Sequence, residues 1–171
     1  MPDGAAWIDG LRNADGELDR DAVREILPYG DGFRFVDRVS HLTDGEIRAT
    51  YTIPSSSELT DAHFVGCPVM PGVLIGEGAA QAASILVRYR LEAPAEKDVV
   101  ALQIDSGKFQ SPAVPGDELV YHARLRSMNR RAARLDVSCT VDERKIFRSS
   151  IVLGIVDRSS FREHVRGLGT S

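Results

Sequence analysis

Cysteine is nearly absent: Cys67 and Cys139 are the only two in 171 residues. Two cysteines outside any CxxC pair exclude a disulfide scaffold and point to a reduced, cytoplasmic chain. No apolar run approaches the roughly 20 residues needed to cross a bilayer, so no membrane span is expected. The opening, MPDGAAWIDGLRNADGELDR, is acidic and lacks an apolar core, so no secretory leader is expected either. Positive charge is in deficit, with 21 Lys and Arg against 25 Asp and Glu and a formal charge of −4. That balance argues against general nucleic-acid binding. Internal repeats and low-complexity blocks are missing. What is present, 43% apolar and 27% charged residues, suits one globular domain with a real core.

Residues 1–17, rich in Gly, Asp and Asn, predict a flexible lead. Residues 18–157 carry the domain, and residues 158–171 a tail of one helical turn that then frays. DRDAVREIL reads as a short helix with Asp19 as N-cap and Pro28 beyond its end. FRFVDRVSHL and EIRATYTI flank the turn residues TDG and read as a hairpin starting at Phe33. PSSSELTDA reads as a loop. The longest helix is expected over residues 72 to about 90, framed by Pro71 and Pro94. It is apolar almost all round, which predicts burial against a sheet. DVVALQID, ELVYHARLRS, AARLDVSCTV and KIFRSSIVLGIV supply further strands, the middle two joined at Asn129-Arg130. One buried helix against five to six antiparallel strands is an α+β layer fold.

The chemistry concentrates at HFVGCPVMPG and the helix that follows. Glu77 is the sole carboxylate in that apolar helix. Burying a carboxylate costs several kcal/mol unless it is paired or neutral, so burial favours the protonated form that a general acid requires. Pairing with a cation at a seam is the competing reading. Gln81 lies one turn further on the same face, within hydrogen-bonding reach. His63 alone is a weak signal, since a loop histidine is more often structural. Gly72 opens the helix, where N–H groups lack intrahelical acceptors and the dipole is positive, so its amide suits a developing oxyanion. A plain Pro-Gly turn accounts for it equally well.

Cys67, close to His63, suggests a Cys/His nucleophile, but no orienting third residue is visible and a free cysteine is usually a small buried hydrophobe. The His and Cys spacings fit no zinc pattern, so no metal is expected. His41, His122 and His164 read as structural. Arg124, Arg126, Arg130, Arg131 and Arg134 gather about one hairpin, either as a solvated tip or as a patch for an acidic partner.

HFVGCPVMPGVLIGEGAAQAA resembles the active-site segment of the FabZ-type beta-hydroxyacyl-ACP dehydratases, His-Phe-x-Gly-x-Pro-x-Met-Pro-Gly followed by a helix carrying Glu and then Ala-Gln. ILPYGDGFRFVDRV and KFQSPAVPGDEL resemble two further family segments, in the same order. The similarity runs from about residue 20 to 156. It implies a hotdog fold, an antiparallel sheet wrapped around a long central helix, assembled as a homodimer or a trimer of dimers. It implies a 3-hydroxyacyl substrate on the phosphopantetheine arm of an acyl carrier protein, the arm arriving with the substrate, and no other cofactor. The implied roles are His63 as catalytic histidine, Glu77 as catalytic acid from the partner subunit, and the Gly72 amide as donor to the thioester carbonyl. Phe64, Val69 and Gln81 join the substrate-binding set, and Arg130 and Arg131 the carrier-docking patch. Glu77 matches the FabZ type, since the FabA relatives carry Asp there and also isomerise the double bond.

Val65 and Cys67 depart from the family pattern, as do YGDGF at residues 29–33 and ELTDA before His63. All four fall where entrance and tunnel walls are implied. The expected reaction is dehydration to a trans-2-enoyl thioester, in fatty acid or specialised polyketide assembly. A hotdog thioesterase and a non-catalytic acyl-binding subunit are the alternatives.

Overall fold

Asp19 ends an extended segment, and its carboxylate accepts hydrogen bonds from the backbone N–H groups of Asp21 and Ala22. That cap starts the second of five α-helices in the computed structural model, which describes residues 3–169. In chain order the elements are α1 (Gly4–Asp9), α2 (Arg20–Ile26), β1 (Arg38–Leu42), β2 (Glu46–Thr52), α3 (Glu58–Asp61) and α4 (Gly72–Tyr89). They continue with β3 (Lys97–Phe109), β4 (Glu118–Met128), β5 (Ala132–Val141), β6 (Arg144–Asp157) and α5 (Arg158–Leu168). The strands form one six-stranded sheet in the order β1-β2-β4-β5-β6-β3, every pairing antiparallel.

Strand alternation decides which face meets the helix. Along β5, Ala133, Leu135, Val137, Cys139 and Val141 are buried, while the residues between them face outward. Helix α4 presses Ile75, Ile85, Leu86 and Val87 into the inner face, all essentially without solvent contact. Each such aliphatic side chain contributes about 1.5–3 kcal/mol on burial. Gly78 lets the helix close on the sheet, because a Cβ there would lie 2.2 Å from the Tyr121 hydroxyl oxygen. The α+β arrangement of sheet around helix is the hotdog architecture implied above.

Several local expectations are corrected. Residues 1–17 are expected as a loose lead, yet residues 4–9 form a helix. Asp3 caps it, Ile8 is fully buried, and the Gly4 N–H donates to the Leu91 carbonyl at 2.6 Å. Apolar contact with the end of α4 outweighs the loop-like composition. Residues 158–168 of the C-terminal tail likewise form a continuous helix rather than one turn that frays, while residues 170–171 lie outside the described residues. Asp157 caps α5, and Asp98 accepts from Arg158 Nε at 3.1 Å and Arg162 Nε at 2.9 Å. Ser57 caps a single turn of helix, α3, where a loop is expected.

Pairing of the first hairpin begins at Arg38 rather than Phe33. The backbone of Phe33 and Phe35 bonds instead to the Gln81 side chain.

Candidate active site

The segment from His63 to Pro71 has few backbone partners of its own, so anchors at its ends set its course. The Cys67 N–H turns back to the Phe64 carbonyl at 3.0 Å, and the Met70 N–H donates to Ala113 at 2.8 Å. The second bond ties the segment to the β3–β4 connection. His63 Nδ1 lies 3.3 Å from the Val69 carbonyl oxygen. A carbonyl only accepts, so in the neutral ring this contact favours the proton on Nδ1 and the lone pair on Nε2, which has no hydrogen bond among the described residues. The Phe64 ring packs against the imidazole with centroids 4.4 Å apart. Val69 and Phe64 therefore hold the histidine.

Pro71 precedes α4, and among the described residues no side chain caps the first turn. The 18-residue helix thus presents the Gly72 N–H with the positive end of its dipole behind it. The Phe109 ring lies directly against Gly72, and a Cβ there would meet it at 2.9 Å. Phe109 in turn stacks on Phe147, centroids 5.0 Å apart. Beside this corner is a groove of about 500 Å³ lined by Met70, Gly72, Val73, Ile75, Phe109 and Gln110, among others. A larger groove of about 760 Å³ lies elsewhere, on the outer face of the sheet.

Glu77 is half-buried in the single chain rather than enclosed. Gln81, one turn later and 1% exposed, donates from Nε2 to Glu77 Oε1 at 3.0 Å. The same nitrogen donates to the Phe33 carbonyl at 2.9 Å, and Gln81 Oε1 accepts from the Phe35 N–H at 2.8 Å. Every capacity of the amide that points inward is used, so the carboxylate is fixed from one side. Burial raises the Tyr29 hydroxyl, and the neighbouring Glu77 charge raises it further. Tyr29 thus belongs to the surroundings of the carboxylate, as does the aromatic row Tyr29, Phe33, Phe35 and Tyr51, with successive centroids 6.1, 5.3 and 5.7 Å apart.

Among the described residues, no hydrogen bond or ion pair joins His63 to Glu77 within the chain. Cys67 is exposed, against the expectation of a buried hydrophobe, and makes no contact with His63 among the described bonds. Among the described residues no cluster of His, Cys, Asp or Glu is arranged to hold a metal ion, and no helix is long and apolar enough to cross a membrane.

Arg130 and Arg131 sit at the β4–β5 turn, where Arg131 O accepts from the Ile155 N–H near the start of β3. Gly72 packs where β3 ends, so the turn and the groove occupy opposite ends of the same chain's sheet. The other hairpin arginines are engaged: Arg124 with Glu46, Arg126 with Asp136, and Arg134 with Asp105. His41 and His122 also lean on Glu46, each at 3.5 Å.

Sequence reasoning singles out His63, Glu77 and Gly72, and it anticipates the Glu77–Gln81 bond that the structure contains. It misses the clamp from Gln81 to Phe33 and Phe35, and the Val69 carbonyl on His63. The clamp pairs residues far apart in the chain, and no local signal announces it.

Comparison with known proteins agrees with the fold and the segment. The FabA-like domain family matches residues 27–150. The 3-hydroxyacyl-[acyl-carrier-protein] dehydratase FabZ of Sulfurovum sp. is 35% identical over 142 residues, covering 80% of this chain and 95% of that one. FabZ of Listeria monocytogenes is 33% identical, covering 82% and 97%. Among solved structures, a chain of the dehydratase heterocomplex ApeI:P from Xenorhabdus doucetiae aligns with TM-score 0.70 at 14% identity, covering 84% of this chain and 96% of that one. A mutant thioesterase from Pseudomonas aeruginosa aligns with TM-score 0.62 at 13% identity, covering 81% and 94%. At those identities the structural likenesses speak to the hotdog fold alone. The chain belongs to the FabA-like family of hotdog proteins and, within it, to the FabZ-type dehydratases.

Proposed function

We propose that the chain is a dehydratase that removes water from 3-hydroxyacyl thioesters on acyl carrier protein, leaving the trans-2-enoyl thioester. Its assembly is a homodimer in which His63 of one subunit and Glu77 of the other serve one site. The observation that carries this reading is the pair of prepared groups: His63 with Nε2 free and Glu77 held at Oε1 alone.

His63 Nε2 removes the α-proton, and the electron pair moves toward the thioester carbonyl. The Gly72 N–H donates to that oxygen as charge develops on it. Gln81 donates to Oε1, so the acid proton of Glu77 resides on Oε2. That proton passes to the β-hydroxyl as the C–O bond breaks, and water departs. The double bond forms between the α and β carbons, and solvent returns the proton from His63 to Glu77. The chain's own groups cover both proton transfers, so the reaction draws on no cofactor beyond the phosphopantetheine arm that brings the substrate. The cytoplasm is the compartment where such carriers meet a reduced chain.

The exposed edge supports the dimer. Strand β3 lies at the sheet margin, and Leu102, Ile104 and Phe109 on it are 63%, 61% and 55% exposed. A long apolar edge is a template for pairing with another strand. Phe64, Val65 and Val73 are exposed as well, all in the segment from His63 into α4.

Mass spectrometry of carrier-bound 3-hydroxyacyl chains tests the activity. Loss of one water with the thioester intact is the expected result, and release of free acid would instead make the chain a thioesterase. An intact, unchanged substrate would leave it an acyl-binding subunit. Carrier docking at Arg130 and Arg131 rests on charge alone. Their reversal to Glu is expected to raise KM for carrier-bound substrate and spare a pantetheine analogue, and equal effects would remove the role.

A further inference from the structure

The outer face of the sheet, away from α4, contains an arrangement that the proposed reaction does not use. Lys108 on β3 and Arg148 on β6 are direct cross-strand partners. Both are exposed, and Arg148 lies between the inward Phe147 and Ser149, so it projects outward. Like charges placed directly opposite on adjacent strands repel. The usual remedy, a carboxylate beside them, is already committed. Asp136 is held by Arg126, and Asp105 by Arg134 and Gln103. Glu46 is taken by Arg124 and approached by two histidines. Among the described residues, neither Lys108 nor Arg148 has an ion pair or side-chain hydrogen bond.

The two cations line the groove of about 760 Å³ together with Ser106 and Ser138, whose hydroxyls have no described partner. Ser138 is the register partner of Arg148 on β5, so cation and hydroxyl stand side by side. Ser106 sits at a bulge in β3 with φ of 53°, a left-handed conformation unusual for serine. The bulge adds a residue to β3 and sets Lys108 opposite Arg148. Two unpaired cations flanked by free hydroxyls match an oxyanion with several acceptor oxygens and more than one negative charge.

We infer that this groove binds a phosphate-class anion, with Lys108 and Arg148 supplying charge and Ser106 and Ser138 supplying hydrogen bonds. The ligand is inorganic phosphate or a phosphate ester, and it relieves a repulsion built into the sheet. The inference stands independently of the dehydratase site, since Gly72 and Glu77 lie across the sheet on the helix side.

Thermal melts of the full chain at low ionic strength test it, with millimolar phosphate compared against chloride at equal ionic strength. Phosphate is expected to raise Tm above the chloride control. Arg148→Met is expected to melt higher than the parent without phosphate and to lose the phosphate-specific rise. Lys108→Met gives the same readout should Arg148→Met fold poorly. Phosphate also stabilises proteins by general exclusion, so a rise that persists in both variants would overturn the inference. Equal effects of phosphate and chloride would overturn it too. Amide shifts at Lys108, Ser138 and Arg148 then separate the sources, with a response to coenzyme A below the phosphate concentration marking an ester-borne ligand, and equal responses marking the free ion.

Discussion

Replacing Gln81 with Leu separates the folding role of this amide from its role at Glu77. The swap nearly conserves volume, so no cavity term enters. Three hydrogen bonds vanish: Phe35 N–H to Oε1, and Nε2 to Phe33 O and to Glu77 Oε1. Phe35 is fully buried, so its orphaned N–H costs about 1–3 kcal/mol, and each of the other bonds contributes about 1 kcal/mol. The sum is a loss on the order of 3–5 kcal/mol, readable in urea melts as a lower midpoint with an unchanged slope. Gln81→Glu weights the test toward the second role, although it gives up the bond to Phe33 O as well. It keeps an acceptor for Phe35 but sets a second carboxylate beside that of Glu77. With a loosened acid, kcat is expected to fall on the order of 10 to 100-fold while KM for carrier-bound substrate stays close to its parent value. A Leu variant with an unchanged midpoint would refute the clamp. A Glu variant with unchanged kcat would refute the positioning of Glu77.

Three further outcomes follow from particular contacts. The Tyr121 hydroxyl is fully buried with no hydrogen-bond partner among the described residues, so Tyr121→Phe is expected to be neutral or to stabilise by about 1 kcal/mol in the same melts; a clear loss would show that the hydroxyl is satisfied. Gly72→Ala is expected to push Phe109 off the helix start and lower kcat, and full activity would show that the ring yields freely. The attachment of α5 should be lost in acid. Burial works against ionised Asp98, yet bonds from Arg162 and Arg158 hold its carboxyl below the ordinary value of 3.8, and the Ser159 hydroxyl with the Ser160 N–H lowers Asp157 to about 2. Both folded values are depressed, so the contribution is whole above the ordinary range and disappears as pH falls from there toward 2. Hydrogen exchange across residues 158–168 checks this, and protection independent of pH over that window would contradict it.

Period and punctuation made most of the fold legible. The apolar run after Pro71 marks α4 to within a residue of its end, and Asp19 marks the start of α2. Alternation locates the strands β4 to β6, and Asp44-Gly45 the first hairpin turn. The misreadings share one cause, tertiary contact overriding composition. Residues 4–9 look like loop yet are helical, because Ile8 finds a place against α4. Residues 158–168 look frayed, because nothing nearby shows that Asp98 on β3 waits for Arg158 and Arg162. At the candidate site, residue identity and local spacing point to His63, Gly72 and Glu77, and helix spacing anticipates the bond to Gln81. The Val69 carbonyl is a backbone group and carries no sequence signature. The cross-strand meeting of Lys108 and Arg148 depends on register, which a bulge shifts.

The shared site is the claim most exposed to experiment, since no bond among the described residues joins His63 to Glu77 in one chain. His63→Ala and Glu77→Gln are each expected to lose about 10² to 10⁴-fold in turnover as pure proteins. Unfolded together in equal amounts and refolded, they should give about half mixed dimers, each with one site that keeps both groups. Turnover of carrier-bound 3-hydroxyacyl substrate by the refolded mixture is the measurement. The account predicts recovery to about a quarter of the parent rate, for random twofold pairing and independent sites. A mixture that exchanges subunits and stays inactive would contradict it.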